Sequence, residues 1–300
     1  MGADVMDVSG FYDLHVHSAP APFKRIGDSA QIALWAAEFG LAGIVLKSHF
    51  ESTVSKAHHA RTVVQDAFPD FQVYSSISLN RGVGGVNPGA VEIALQQGAK
   101  TVWLPTLDSA HHVDAFGAAG TYGTANMTLG ESRKPFRGFT VLDQNGALSG
   151  ETREVLDMVA SHGAILGTGH VSPREIVKVV DYATSAGVKN IVITHPELKT
   201  PNLDIPAMKD LASAGCVMEF CAIYLLPVFP YLKLDWLIEA IEAVGPARAI
   251  ISSDGGQPFH PKPAECLRIA ACALEERGIP HAVIAALFID NPRMLLGLGR

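Results

Sequence analysis

His15 and His17 stand two apart near the end of an apolar run that contains Asp13. A strand puts residues i and i+2 on one face, so the two imidazoles can share an ion. Three more short apolar runs end on metal-capable side chains: Gly167-Thr168-Gly169-His170, Val192-Ile193-Thr194-His195 and Ile251-Ser252-Ser253-Asp254. Even offsets from Leu166, Ile193 and Ile250 predict that His170, His195 and Asp254 lie on the inward faces of their strands. Together with the HxH pair they offer four N or O ligands and a spare imidazole. Such a set suits one divalent cation, zinc first with manganese or iron as alternatives, and leaves a position open for water.

A fifth run, Val45-Leu46-Lys47-Ser48-His49, alternates so that Lys47 and His49 face inward beside the HxH strand. A buried lysine is costly unless it is paired or deprotonated. Lys47 is therefore expected to bind a substrate carboxylate, to act as a base, to carry a carbamate, or to form an ordinary ion pair with Asp13 or Glu51. Other cations fall after the apolar runs: Lys24 and Arg25, Arg81, Arg133 to Arg137, and Lys262. Against a net charge of −7, this bias points to an anionic substrate, with Arg25 and Arg81 as binding candidates beside Lys47. His58-His59 lies on a helical pattern and reads as surface, whereas His111-His112, near Asp108, is placed where it could reach the site.

The elements that must position these groups repeat. Six times a helical pattern closes on glycine just before a β-branched run, at Gly40, Gly98, Gly163, Gly187, Gly215 and Gly245. Glycine just past a helix end takes the left-handed conformation, and a buried parallel strand reads as continuous hydrophobicity. Adding Phe11 to Val16 and Gln72 to Leu79 gives eight strands. Asp28-Ser29, Asn87-Pro88 and Ser172-Pro173 read as helix starts. Eight alternating strands and helices predict a single (β/α)8 TIM barrel over residues 1–300, with an open α/β sheet as the fallback. One long insertion after strand 4, about 107–150, breaks the period. It ends in a hairpin-like stretch with an Asn145-Gly146 turn and reads as a lid, or equally as a disordered or oligomer-contact loop.

With these residues in place, the chain resembles the amidohydrolase superfamily of metal-dependent hydrolases. The resemblance is carried by HxH, His170, His195, Asp254 in Ser-Ser-Asp-Gly, and the closing Asn291-Pro292-Arg293-Met294-Leu295-Leu296-Gly297-Leu298. It implies that His15, His17, His170 and Asp254 bind metal, that Asp254 also handles protons, and that His195 polarises the substrate carbonyl or completes the coordination shell. Strand 4 ends Trp103-Leu104-Pro105-Thr106, without the Lys or Glu that would bridge a second ion, so one metal is expected. The activity implied is hydrolysis of a small, anionic amide, lactam, lactone or ester by metal-activated water. The alternatives are a metal-dependent decarboxylase or other lyase on the same scaffold, and a non-catalytic metal-binding protein. A phosphoesterase that also opens with HxH would want a Glu on strand 3 and Asp-x-His near the end, and neither is present.

Composition narrows the partners. A sequence pI near 5.9 argues against nucleic acid and anionic membranes. Four cysteines at 216, 221, 266 and 272 form no CxxC pair, which fits reduced thiols. The first residues lack a basic segment followed by an apolar one, and Met1-Gly2 lacks the rest of a myristoylation motif. A cytoplasmic enzyme with a small-molecule substrate is expected, and self-association into a homo-oligomer is left open.

Overall fold

The computed structural model describes residues 6–123, 127–128 and 136–299. Glu131, Arg133 and Lys134 of the insertion, and Met1-Gly2, lie outside them. Eight parallel strands run in sequence order: β1 Tyr12–His17, β2 Gly43–Lys47, β3 Gln72–Ser78, β4 Ala99–Trp103, β5 Ile165–Gly167, β6 Asn190–Thr194, β7 Val217–Cys221 and β8 Ala249–Ser252. Between them lie α1 Ser29–Glu38, α2 Val54–Val64, α3 Pro88–Gln96, α4 Ala110–Phe116, α5 Gly150–His162, α6 Pro173–Ser185, α7 Ile205–Ser213 and α8 Leu234–Val244. The chain ends in α9 Pro263–Glu276, α10 His281–Ala285 and α11 Asn291–Leu295. This is the expected (β/α)8 barrel, and among the described residues no helix is long and apolar enough to cross a membrane.

The local signals act as their chemistry requires. Asp28 accepts a hydrogen bond from the Gln31 amide, Asn87 from Ala90, and Ser172 forms a full capping box with Glu175, so each satisfies amides at a helix start. All six junction glycines have positive φ, from 60° at Gly163 to 99° at Gly215. In the insertion, Leu142 bridges Leu148 in antiparallel sense around Gly146, the expected small turn.

Two apolar layers hold the barrel. Outward-facing residues such as Val16, Leu46, Val102 and Ile193 pack under the helices. Inside, Tyr12, Leu14, Val45, Ile165, Val192, Val217 and Ile250 fill the barrel floor, and Leu295 and Leu296 plug it from below. The closing motif read from sequence thus supplies the plug. The inward residues also correct one expectation. Ile165 and Val192 face in while Leu166 and Ile193 face out, so strand parity does not carry His170 and His195 inward. Both lie past the last ladder residue of their strands and are aimed by irregular backbone instead.

The barrel closes by a narrow seam. Between β8 and β1 the only backbone bridge among the described residues is Val16 to Gly255, with the His17 amide donating to the Gly255 carbonyl at 2.9 Å. Ser253 adds two side-chain links: its amide donates to the Asp13 carboxylate at 2.9 Å, where a ladder bond would otherwise lie, and its hydroxyl donates to the His15 carbonyl at 3.3 Å.

Candidate active site

The HxH pair reaches the interior through a β-bulge. Asp13 pairs with Ile44 and Val16 with Leu46, so Leu14 and His15 together oppose Val45 alone. A bulge of this kind bends the strand and re-aims a side chain. Below it Tyr12 and Leu14 fill the floor, whereas above it His15 and His17 face the mouth and Val16 packs outward.

Both imidazoles face one oxygen. Asp254 Oδ1 lies 3.2 Å from His15 Nε2 and 3.0 Å from His17 Nε2, while its Oδ2 accepts a 2.7 Å hydrogen bond from the Tyr224 hydroxyl. The backbone of Asp254 is left-handed at φ 51°, and that of His195 at φ 30°. Such conformations cost about 1–3 kcal/mol each and persist where surrounding structure imposes them, commonly at functional sites. Burial opposes ionisation of Asp254, but His15, His17 and Lys47 together overcome it and hold the carboxyl well below the usual range. Burial also holds His17 and His170 well below the ordinary imidazole value and takes His195 down to about 3. The carboxylate is ionised and these imidazoles are neutral at pH 7, the forms that ligate a divalent cation.

Beneath this trio lies a polar cluster that parity could have revealed and sequence reasoning passed over. Val217, Glu219 and Cys221 alternate inward on β7 as Val45 and Lys47 do on β2. Glu219 Oε2 lies 3.3 Å from His15 Nδ1, and its Oε1 accepts from Ser252 Oγ at 2.8 Å. The carboxylate calls for a proton on His15 Nδ1 and so leaves Nε2 with a lone pair. That lone pair faces Asp254 Oδ1, two acceptors that a cation reconciles, and in this structure Lys47 Nζ supplies the charge from 2.9 Å. Lys47 rests on the Trp103 ring, 4.2 Å from its centroid, with its pKa lowered by burial. Its neighbour is His15, in place of the anticipated Asp13 or Glu51; Glu51 pairs with Lys56 at the surface.

The donor atoms of His15, His17 and Asp254 all lie within 4.8 Å of one another, as do those of His15, Glu219 and Cys221. The residues present fit a divalent cation. His170 and His195 form the next layer, with rings 4.9 Å apart. His170 Nδ1 is 2.9 Å from His112 Nδ1, whose Nε2 in turn meets the Thr121 carbonyl at 2.7 Å. His170 Nε2 and His195 Nδ1 are buried without hydrogen-bond partners, so neither nitrogen is committed to another group and each could act as a ligand. His49 hydrogen-bonds Thr106 Oγ1 at 2.9 Å, and burial holds it well below the ordinary imidazole value. His58 and His59 are exposed, as expected.

Above the donors opens a cavity of about 630 Å³, lined by His17, His49, His195 and Asp254 at its base and by Arg25, Tyr122, Glu197, Phe229 and Tyr231 higher up. Arg25, pushed down to about 10 by burial, stays cationic at neutral pH. Lys47 and Arg81 are not among the lining residues. Lys47 lies below the cavity. Arg81 places its guanidinium 4.0 Å from the Phe136 ring centroid and its amide on Asp108, which leaves Arg25 as the binding candidate that reaches the cavity.

Residues 10–219 match the model described as Family of unknown function (DUF6282), more than two thirds of the chain. The chain belongs to that family. No curated protein matches this DUF6282 sequence. In three dimensions the protein is similar to the probable dipeptidase PvdM from Pseudomonas aeruginosa, with TM-score 0.62 and 16% identity over 96% of this chain and 94% of that one. It is also similar to an amidohydrolase from Pseudomonas aeruginosa, with TM-score 0.63 and 13% identity over 96% and 95%. A third similar structure is 2,6-dihydroxybenzoate decarboxylase from Rhizobium, with TM-score 0.55 and 12% identity over 97% and 99%. At these identities the likeness is one of fold, and it is the fold that the sequence resemblance implied.

Proposed function

We propose that this member of DUF6282 is a metal-dependent hydrolase of small, anionic carbonyl compounds: amides, lactams, lactones or esters. The observation that carries the reading is the convergence of His15 Nε2 and His17 Nε2 on Asp254 Oδ1, at 3.2 and 3.0 Å, at the base of a cavity. His15, His17 and Asp254 would hold the cation, with His170 or His195 completing the set, and zinc is preferred for neutral nitrogen donors with one carboxylate. When bound, the ion supplies Lewis acidity that makes water a nucleophile near neutral pH and polarises the carbonyl.

The chain's own residues do the rest. Arg25 holds the substrate's anionic group. Asp254, ionised and fixed by the Tyr224 hydroxyl, accepts the proton of the attacking water and returns it to the leaving group. His195, neutral at pH 7, donates an N–H to the carbonyl oxygen as charge develops there. The test is a panel of amides, lactones and aromatic carboxylates offered to chelator-stripped protein and to the same protein reloaded with zinc. Hydrolysis that appears only on reloading is the expected result. Release of CO2 without hydrolysis would move the chain to the lyase class, in which the same residues orient a carboxylated ring.

A further inference from the structure

We infer that the cavity is built for a small zwitterion, a dipeptide-like molecule whose carboxylate meets Arg25 and whose ammonium meets Glu197, with the reacting carbonyl between them. The inference rests on the proposed reading of this cavity as the substrate site.

Arg25, in the loop after β1, and Glu197, in the loop after β6, line the same cavity. Nε and Nη1 of Arg25 and both carboxylate oxygens of Glu197 are out of water and have no hydrogen-bond partner. Burial raises Glu197 to about 8 and lowers Arg25 to about 10, as it does for groups without a partner, and no hydrogen bond joins them to each other. Lys199, the nearest cation along the β6 loop, lies over the Phe116 ring at 4.8 Å from its centroid and is exposed, so it leaves Glu197 unmatched. Around the rim the strand order β6, β7, β8, β1 sets Asp254 between the two loops.

Groups of this kind are expensive to bury without a partner, and removing them from water is repaid only when something supplies the complement of each. A simple anion would satisfy Arg25 and leave Glu197 without a partner. A simple cation would do the reverse. A molecule with an ammonium and a carboxylate flanking a carbonyl satisfies both at once and brings its carbonyl over Asp254. Tyr122, Phe229 and Tyr231 add an aromatic wall for an apolar side chain.

The test uses alanyl-phenylalanine, its N-acetyl form and its C-terminal amide, titrated calorimetrically into the full chain after chelation, so that the peptide bond stays intact. In the unaltered protein, blocking either end should weaken binding by about tenfold or more, because each blocked form leaves one buried polar group unmatched. Glu197→Gln should weaken the free dipeptide by about tenfold and erase the penalty for acetylation, and Arg25→Met should erase the penalty for amidation. Circular dichroism checks that both variants fold, and the comparison of the three ligands in the unaltered chain stands without them. The inference is overturned if the acetylated dipeptide binds as well as the free one, if the dipeptide fails to bind at millimolar concentration, or if folded variants keep both penalties. The two readings separate on reloading with zinc. Zwitterion-selective binding without cleavage sinks the hydrolase reading alone, whereas hydrolysis of anionic substrates with no preference for an ammonium sinks this one alone.

Discussion

His15 carries two loads at once, a carboxylate behind it and a carboxylate in front. Because Glu219 fixes which ring nitrogen bears the proton, Glu219→Gln should lower zinc affinity by about tenfold, read by competition against a chromophoric chelator, while thermal stability changes little. Unchanged affinity would show that His15 keeps its tautomer without Glu219. Alanine at His15, His17 or Asp254 should abolish tight metal binding, since each removes one member of the convergent trio; a His15 and His17 double variant with full metal content would refute the site. Lys47 has the opposite expectation. Its amine occupies the His15 lone pair from 2.9 Å, so Lys47→Met, which keeps the stem on Trp103, should retain or tighten zinc binding. Loss of zinc in that variant would place Lys47 in the coordination shell. At this scale much of the site is legible in the sequence: HxH, Lys47, His49, Asp254 and His112 sit together. Glu219 and Cys221 had the same alternating signal as Lys47 but stood in a run that reads as plain core. Arg25 stands out only as one cation among several in loops, and Glu197 not at all, because what distinguishes them is the absence of a partner, a property of three dimensions.

The elements explain which expectations carry through and which do not. Alternation reads β2 well, since Lys47 is still within regular ladder, and the offset of Asp254 from inward Ile250 holds although β8 ends at Ser252; it fails on β5 and β6, where His170 and His195 come after the ladder has ended. The bulge in β1 leaves no mark in composition, yet without it His15 would share the outward face with Asp13. Glycine-closed helices and capped starts are legible because few residues tolerate positive φ or supply an N-cap oxygen. The junction after β8 depends on one such residue. Gly256, at φ 120°, lies so close to the His17 carbonyl that a Cβ would stand 2.0 Å from its oxygen. Gly256→Ala should therefore push the end of β1 aside, costing about 1–3 kcal/mol in urea unfolding and weakening zinc binding together. A stability loss with intact metal affinity would mean that the loop yields instead of the strand.

For the molecule as a whole, buried thiols set an alkaline limit. Burial pushes Cys216, just before β7, and Cys266, in α9, up to about 12. An acid whose pKa is raised on folding contributes fully below its unfolded value, near 8.5, and that contribution is lost as pH rises toward 12. At pH 10 each thiol should already have withdrawn about 1–2 kcal/mol, so the urea midpoint should fall between pH 8 and 10. The Cys216→Ala and Cys266→Ala variants should fall less steeply; parallel slopes for variants and parent would remove thiol ionisation as the cause. The seam between β8 and β1 has a larger consequence. His15 and His17 belong to the first strand and Asp254 to the loop after the last, so whatever bridges them fastens the beginning of the barrel to its end. Site occupancy and global cooperativity then become one quantity: the ligand acts as a clasp on a ring, and the ring opens first where the clasp is undone.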